Sequence, residues 1–145
     1  MKKGYVLVSA CLLGKNCKYN GGNNYNEQVI KYLKDYEIIP ICPEVMAGFS
    51  TPRAPLEIYN DRLINNRGED YTKDMQRACA DIVKIINEKK TILAVLKARS
   101  PSCGKGEIYD GTFSHTIVCR NGLACEVVLK EGIKVLTEEE IGGKK

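Results

Sequence analysis

The stretch Thr91-Ile92-Leu93-Ala94-Val95-Leu96-Lys97 is apolar on both faces, as is typical of a central strand in a parallel sheet. Apolar runs at residues 4–9, 37–41 and 133–136 predict three more strands. Helical patterns alternate with these strands, and the clearest one covers residues 71–89. This alternation predicts an α/β fold: a single three-layer α/β/α domain with a mostly parallel sheet of about four to five strands.

The bulk composition describes an ordinary globular protein. A chain of 145 residues is long enough for one domain with a core of its own, and we expect residues 1–145 to form it. The net charge of +4 is too small to argue for a stable nucleic-acid partner. No apolar run approaches the length of a membrane span. We therefore expect neither a membrane nor a nucleic acid to be a partner.

Cysteine is unusually frequent, with seven residues in the chain. An odd number fits complete disulfide pairing badly, so a reduced, cytoplasmic setting is favoured. Three of these residues, Cys11, Cys42 and Cys103, each follow a predicted strand. Because parallel strands end at one edge of a sheet, where open α/β sheets bind ligands, we expect the three thiols to converge there.

Three convergent thiolates indicate a metal or cluster with an incomplete set of protein ligands and a free position for chemistry. One alternative is that the cysteines pack as small apolar side chains in a metal-free nucleotide-binding module. Another is a non-catalytic metal-binding protein, in which Cys17 supplies a fourth thiolate and closes the site. The sequence leaves these alternatives open.

Polar residues near these cysteines are candidates for acid–base chemistry. Glu44 lies two residues after Cys42 and could activate a water as general base, although a solvated loop glutamate is the plainer interpretation. Ser100 and Ser102 flank Pro101 just before Cys103. Their hydroxyls could bind substrate or relay a proton, and plain turn chemistry is the alternative.

Residues 43–70 predict a long irregular segment, which in a compact domain is usually functional. Within it, Arg53 stands between two prolines that restrict the backbone, and its guanidinium would suit an anion or a planar heterocycle. The alternative is an ion pair with Glu57 or Asp61. The lone histidine, His115, is interpreted as structural or exposed.

At these motifs the chain resembles a family of small bacterial iron–sulfur-dependent thiouracil desulfidases, once described only as a domain of unknown function. The resemblance covers essentially the whole chain, and the matching stretches are residues 8–14, 41–45, 51–57, 96–104, 110–113 and 132–136.

The resemblance implies that Cys11, Cys42 and Cys103 bind a [4Fe–4S] cluster whose fourth iron binds the sulfur of a thiolated pyrimidine. It further implies that Glu44 and Ser100 handle protons. We therefore hypothesise a cytoplasmic enzyme that removes sulfur from a thiouracil-like nucleobase without net electron transfer and releases it as sulfide. In this hypothesis Glu44 activates water, and two side chains, Arg53 and Ser102, contact the substrate.

Overall fold

The computed structural model describes residues 2–142, and regular elements account for most of them. The strands are β1 (Tyr5–Ser9), β2 (Glu37–Ile41), β3 (Leu56–Tyr59), β4 (Arg62–Asn65), β5 (Leu93–Leu96), β6 (Ile108–Tyr109), β7 (Ile117–Val118) and β8 (Lys134–Thr137). The helices are α1 (Glu27–Tyr32), α2 (Pro43–Met46), α3 (Thr72–Lys89), α4 (Leu123–Lys130) and α5 (Glu138–Ile141), with a 3-10 turn at Ala10–Leu13.

The central sheet has four strands in the order β2-β1-β5-β8, and all of its pairs are parallel. The first crossover leads from β1 to β2 on one side, and the chain then returns to place β5 on the other side of β1. The strand order therefore reverses between β1 and β5, which is where open α/β sheets form a ligand crevice. Pro40 lies in β2, which is an edge strand, and edge strands tolerate proline.

Apolar side chains on the two faces of the sheet pack against different helices. Leu7, Ala94 and Leu96 belong to a buried cluster that includes the apolar faces of α3 and α4. Val8 and Val95 point to the opposite face and pack with α1. Helices thus cover both faces, and the predicted three-layer α/β fold is confirmed.

The segment 43–70 is more regular than its sequence predicts. The expectation of an irregular stretch is wrong for residues 43–46 and 56–65, whereas residues 47–55 contain neither helix nor strand. It begins with α2, in which Pro43 occupies the first turn directly after Cys42. It continues as the antiparallel hairpin of β3 and β4. The hairpin turns at Asn60 and Asp61, whose φ values of 49° and 62° are those of a type I′ turn.

A second small hairpin, β6 and β7, carries the loop 110–116 back toward β3. Helix α5 begins with a capping box, in which Thr137 and Glu140 exchange side-chain and backbone hydrogen bonds. Within residues 2–142, none of the helices combines the length and apolar character needed to cross a bilayer.

Candidate functional site

All seven predicted site residues line one cavity of about 420 Å³ at the carboxyl edge of the central sheet. The three cysteines reach it by different routes. Cys11 lies in the 3-10 turn after β1, Cys42 directly follows β2, and Cys103 lies in the loop after β5. Since these three strands are neighbours in the sheet, the topology brings together residues that are far apart in sequence.

The thiols are close enough to affect one another's ionisation. Burial raises the pKa of Cys103 far above its ordinary value, and the neighbouring Cys11 and Cys42 raise it further. Burial also raises the pKa of Cys11, with a smaller contribution from Cys42. Repulsion between thiolates means that the three groups ionise together only when a cation compensates their charge.

Two of the three sulfur atoms, those of Cys11 and Cys103, have hydrogen-bond donors beside them. Asn24 Nδ2 donates to Cys11 Sγ at 3.4 Å, and Ser102 Oγ lies 3.8 Å from Cys103 Sγ as a donor. The hydroxyls of Ser9 and Ser102 both act to lower the pKa of Cys103 against the effect of burial. Donors of this kind orient thiolate ligands and stabilise their charge.

Cys17 is the fourth thiol of this cavity. Burial raises its pKa to about 12, and the next contributions come from the Cys42 thiol beside it. Cys42 Sγ in turn lies 3.8 Å from the carbonyl oxygen of Cys17. Cys17 is therefore close enough to Cys42 for the alternative in which it supplies a fourth thiolate to stay open.

The remaining cysteines lie elsewhere in the fold. Cys79 and Cys125 are buried in the core beneath α3 and α4, and burial raises the pKa of each thiol to about 11. Cys119 is exposed. All seven cysteines are free thiols.

Glu44 forms a largely buried ion pair with Arg53. The Oε1 atom of Glu44 lies 2.9 Å from Arg53 Nε and 2.8 Å from Nη2, and the two side chains are 12% and 9% exposed. The sequence alternative, in which Arg53 forms an ion pair with Glu57 or Asp61, is wrong, because Arg53 pairs with Glu44. Glu57 accepts backbone N–H groups instead, and Asp61 pairs with Arg120.

The other nitrogen of the Arg53 guanidinium, Nη1, donates to Ser50 O and Thr51 Oγ1, and Nη2 also donates to Cys17 O at 2.9 Å. All three guanidinium nitrogens therefore have protein partners. Arg53 fixes the position of Glu44 and ties the loop of Cys17 to the segment that precedes β3.

Two serines connect the second oxygen of Glu44 to the Cys103 loop. Ser100 Oγ accepts the backbone N–H groups of Ser102 and Cys103, so its own proton is directed to Ser102 Oγ at 3.0 Å. Ser102 Oγ carries one proton, which it donates either to Cys103 Sγ or, at the shorter distance of 3.3 Å, to Glu44 Oε2. These bonds form a continuous path for a proton from Ser100 to the carboxylate.

Several cavity residues were missed by sequence reasoning. Lys97, at the end of β5, forms an ion pair of 2.9 Å with Glu138, and its charge acts on the Cys11 thiol. Tyr109 lines the cavity and contacts His115 edge-on, with ring centroids 6.2 Å apart. His115 is exposed, as the sequence indicated, but it also lines the cavity, which was not predicted. Lys97 could have been predicted to lie near the thiols, because it directly follows a buried strand. The position of the loop 110–116 could not, because no local sequence pattern shows where that loop runs.

The donor set fits a cluster better than a single ion. Among residues 2–142, no three His, Cys, Asp or Glu side chains come close enough together to hold one metal ion. In an iron–sulfur cluster each thiolate binds a different iron, so its ligands stand further apart. Three thiols around one cavity, two of which (Cys11 and Cys103) have hydrogen-bond donors to their sulfurs, match that requirement once they ionise.

The fold and the site together define an α/β protein with a cluster of thiols at the carboxyl edge of its parallel sheet. The sequence profile of the 2-thiouracil desulfurase family matches residues 6–140. The chain therefore belongs to this family, and the family resemblance predicted from the sequence is confirmed.

Two individual proteins are similar over nearly their whole length. YbbK of Bacillus subtilis strain 168, an uncharacterised protein, is 34% identical over 146 residues, which cover 94% of this chain and 97% of YbbK. The structure of TudS, described as a [4Fe–4S]-dependent thiouracil desulfidase, superposes with a TM-score of 0.88 at 29% identity. That superposition covers 97% of this chain and 95% of TudS.

Proposed function

We propose that this protein is an iron–sulfur-dependent desulfidase that releases sulfide from a thiolated pyrimidine such as 2-thiouracil. The observation that carries the proposal is the sharing of one cavity by three thiols from separate strands and a buried carboxylate with a proton path. Membership of the 2-thiouracil desulfurase family and the likeness to TudS support the same conclusion.

Cys11, Cys42 and Cys103 would hold the cluster through their thiolates. When bound, a [4Fe–4S] cluster with three protein ligands supplies an open iron that acts as a Lewis acid toward the substrate sulfur. The overall reaction consumes water and thiouracil and yields uracil and hydrogen sulfide, so it is hydrolytic and needs no net electron transfer.

Glu44 takes a proton from the water that attacks the ring carbon. Its Oε2 performs this step, because Oε1 is occupied by Arg53. Ser102 and Ser100 extend the path along which protons move between the carboxylate and the reacting groups. Substrate binding by Arg53 stays a prediction, and since its nitrogens are engaged, contact would use the planar face of the guanidinium.

The reaction chemistry fits a reducing compartment such as the cytoplasm, since free thiols and iron–sulfur clusters persist there. The direct test is to reconstitute the protein anaerobically with iron and sulfide and to supply 2-thiouracil. Uracil and sulfide should appear in equal amounts, and the cluster-free protein should release neither. A loaded protein that releases no sulfide from 2-thiouracil would refute the proposed function.

The proximity of Cys17 to Cys42 favours one second candidate, a non-catalytic protein with a closed four-cysteine site. Replacing Cys17 with Ser separates the two. The desulfidase proposal predicts that Cys17→Ser retains its iron and its sulfide release. A closed site predicts that this variant loses iron and that the EPR spectrum of the wild-type cluster does not respond to 2-thiouracil.

A further inference from the structure

Glu57 is a buried carboxylate that lines the same cavity as the three thiols. It lies in β3 and is 8% exposed. Its Oε1 atom accepts the backbone N–H groups of Gly111 at 3.0 Å and Phe113 at 3.1 Å, which fastens the loop 110–116 to the hairpin. One carboxylate oxygen therefore has a clear structural task.

The second oxygen of Glu57, Oε2, does not bind the loop 110–116. Among residues 2–142, no hydrogen bond or ion pair to Oε2 is formed. Within the same residues, Thr91 Oγ1 is the only fully buried side-chain oxygen or nitrogen without a partner, so Oε2 of Glu57 retains some accessible surface. The space that Glu57 lines is the cavity.

A neutral side chain would suffice to anchor the loop. The amide oxygen of a glutamine accepts two N–H groups as well as Glu57 Oε1 does, without the cost of burying a charge. A buried carboxylate with one oxygen facing a cavity is instead suited to a ligand that brings an N–H donor, since such hydrogen bonds are charge-assisted. The buried charge is thus explained by a ligand better than by the loop.

We propose that Glu57 binds the substrate, its Oε2 accepting a hydrogen bond from a ring N–H of the thiolated pyrimidine. This inference rests on the proposed function, because that function defines the substrate class. In a thiouracil the carbon that carries sulfur is bonded to a ring nitrogen bearing hydrogen. A carboxylate that holds this N–H fixes the ring in its plane while leaving the sulfur free.

The neighbouring wall of the cavity suits a flat ring. Tyr109 and His115 line it, and His115 adopts a left-handed backbone conformation with φ of 63° within the loop that Glu57 anchors. The same carboxylate therefore positions the loop through Oε1 and recognises the ring through Oε2. Aromatic side chains beside a polar anchor are a common arrangement in small-molecule sites.

The test is the Glu57→Gln variant in the reconstituted protein. Its amide oxygen preserves both bonds to the loop, but the second position becomes an N–H donor that repels the ring N–H. We expect the Kd for 2-thiouracil, measured by anaerobic calorimetry, and the KM to rise about tenfold to a hundredfold. We expect kcat to change by less than about threefold, because the proton path through Glu44 is untouched.

Glu88→Gln is the matched control, since it removes the same charge from an exposed position of α3. Its Kd and KM should equal those of the wild type. If Glu57→Gln binds and processes 2-thiouracil with wild-type Kd and KM, the inference is wrong while the proposed function stands. A wild-type protein that binds 2-thiouracil through Glu57 without releasing sulfide would support the inference and refute the proposed function.

A second measurement needs no variant and guards against a Glu57→Gln protein that fails to fold. N1-methyl and N3-methyl 2-thiouracil each replace one ring N–H by a methyl group. The inference requires that at least one of them bind the wild-type protein at least tenfold more weakly than 2-thiouracil. Equal binding of both analogues would overturn it, and a wild type that binds none of the three compounds would overturn it together with the proposed function.

Discussion

Glu44 is constrained at both carboxylate oxygens, and the two contacts differ in kind. Arg53 holds Oε1 with a permanent positive charge, whereas Ser102 offers Oε2 a hydroxyl that can exchange its proton. In the proposed mechanism, this difference assigns proton transfer to Oε2. The carboxylate is largely buried, yet it lines the cavity where the substrate would bind.

The Glu44→Gln variant should retain its iron and release sulfide about 100-fold to 10,000-fold more slowly, because the amide cannot accept the proton from water. Steady-state sulfide release and iron analysis on the same preparation provide the measurement. Glu88→Gln again serves as the control for the loss of one negative charge. Wild-type turnover by Glu44→Gln would remove this residue from the mechanism.

At the level of single residues, the sequence was informative where chemistry and position coincide. Glu44, Ser100 and Ser102 could be predicted to lie near the three thiols, because they stand next to cysteines that follow strands, and all three line the cavity. The Arg53–Glu44 pair could not be derived, since it depends on how the segment 43–55 folds back on itself. Glu57 was considered only as a partner of Arg53, because sequence alone does not show which side of β3 faces a cavity.

At the level of elements, the start of α3 is stabilised by the carboxylate of Asp70, which interacts with Thr72 and Arg62. The hydroxyl and backbone N–H of Thr72 and the guanidinium of Arg62 together lower the pKa of Asp70 from 3.8 to about 2. The carboxylate accepts the Thr72 N–H at 2.9 Å and so binds a donor that the first turn of the helix leaves free.

The sign of the effect on stability follows from this lowered pKa. The contribution of Asp70 is fully present above its unfolded value of 3.8 and is lost as the pH falls through about 2. The free energy of unfolding of Asp70→Asn should therefore lie below that of the wild type at pH 7, and the two should converge between pH 4 and pH 2. Urea unfolding at each pH measures both.

Thr72→Val should move the Asp70 pKa back toward 3.8, since it removes the hydroxyl that lowers the pKa most. An NMR titration of the Asp70 carboxyl measures this directly. A midpoint near 3.8 in the wild-type protein would show that the arrangement at the start of α3 does not form as described.

The hairpin of β3 and β4 shows what periodicity misses. The strands have four residues each, which is too short for a clear alternation, and prolines precede them. Asn60-Asp61 between two apolar runs was nevertheless a signal, because both residues tolerate the positive φ values of a type I′ turn. The longer helix α3 was predictable because its apolar residues recur over eighteen positions.

At the level of the whole molecule, the parallel sheet is the reason that remote cysteines meet. The edge at which Cys11, Cys42 and Cys103 gather could be predicted, since all parallel strands end on the same side. The strand order and the loop paths could not, because they depend on packing between α3, α4 and the sheet. For the same reason, the sequence alone could not show that Cys17 lines the cavity.

The central claim is that Cys11, Cys42 and Cys103 hold the cofactor. Iron and sulfide analysis after anaerobic reconstitution of the wild type, the Cys11→Ser, Cys42→Ser and Cys103→Ser variants, and Cys119→Ser as an exposed control tests it most directly. We predict about four iron atoms and four sulfides per chain in the wild type and in Cys119→Ser, and a loss of most iron in the other three. A wild type without iron, or iron unchanged in those three variants, would contradict the claim.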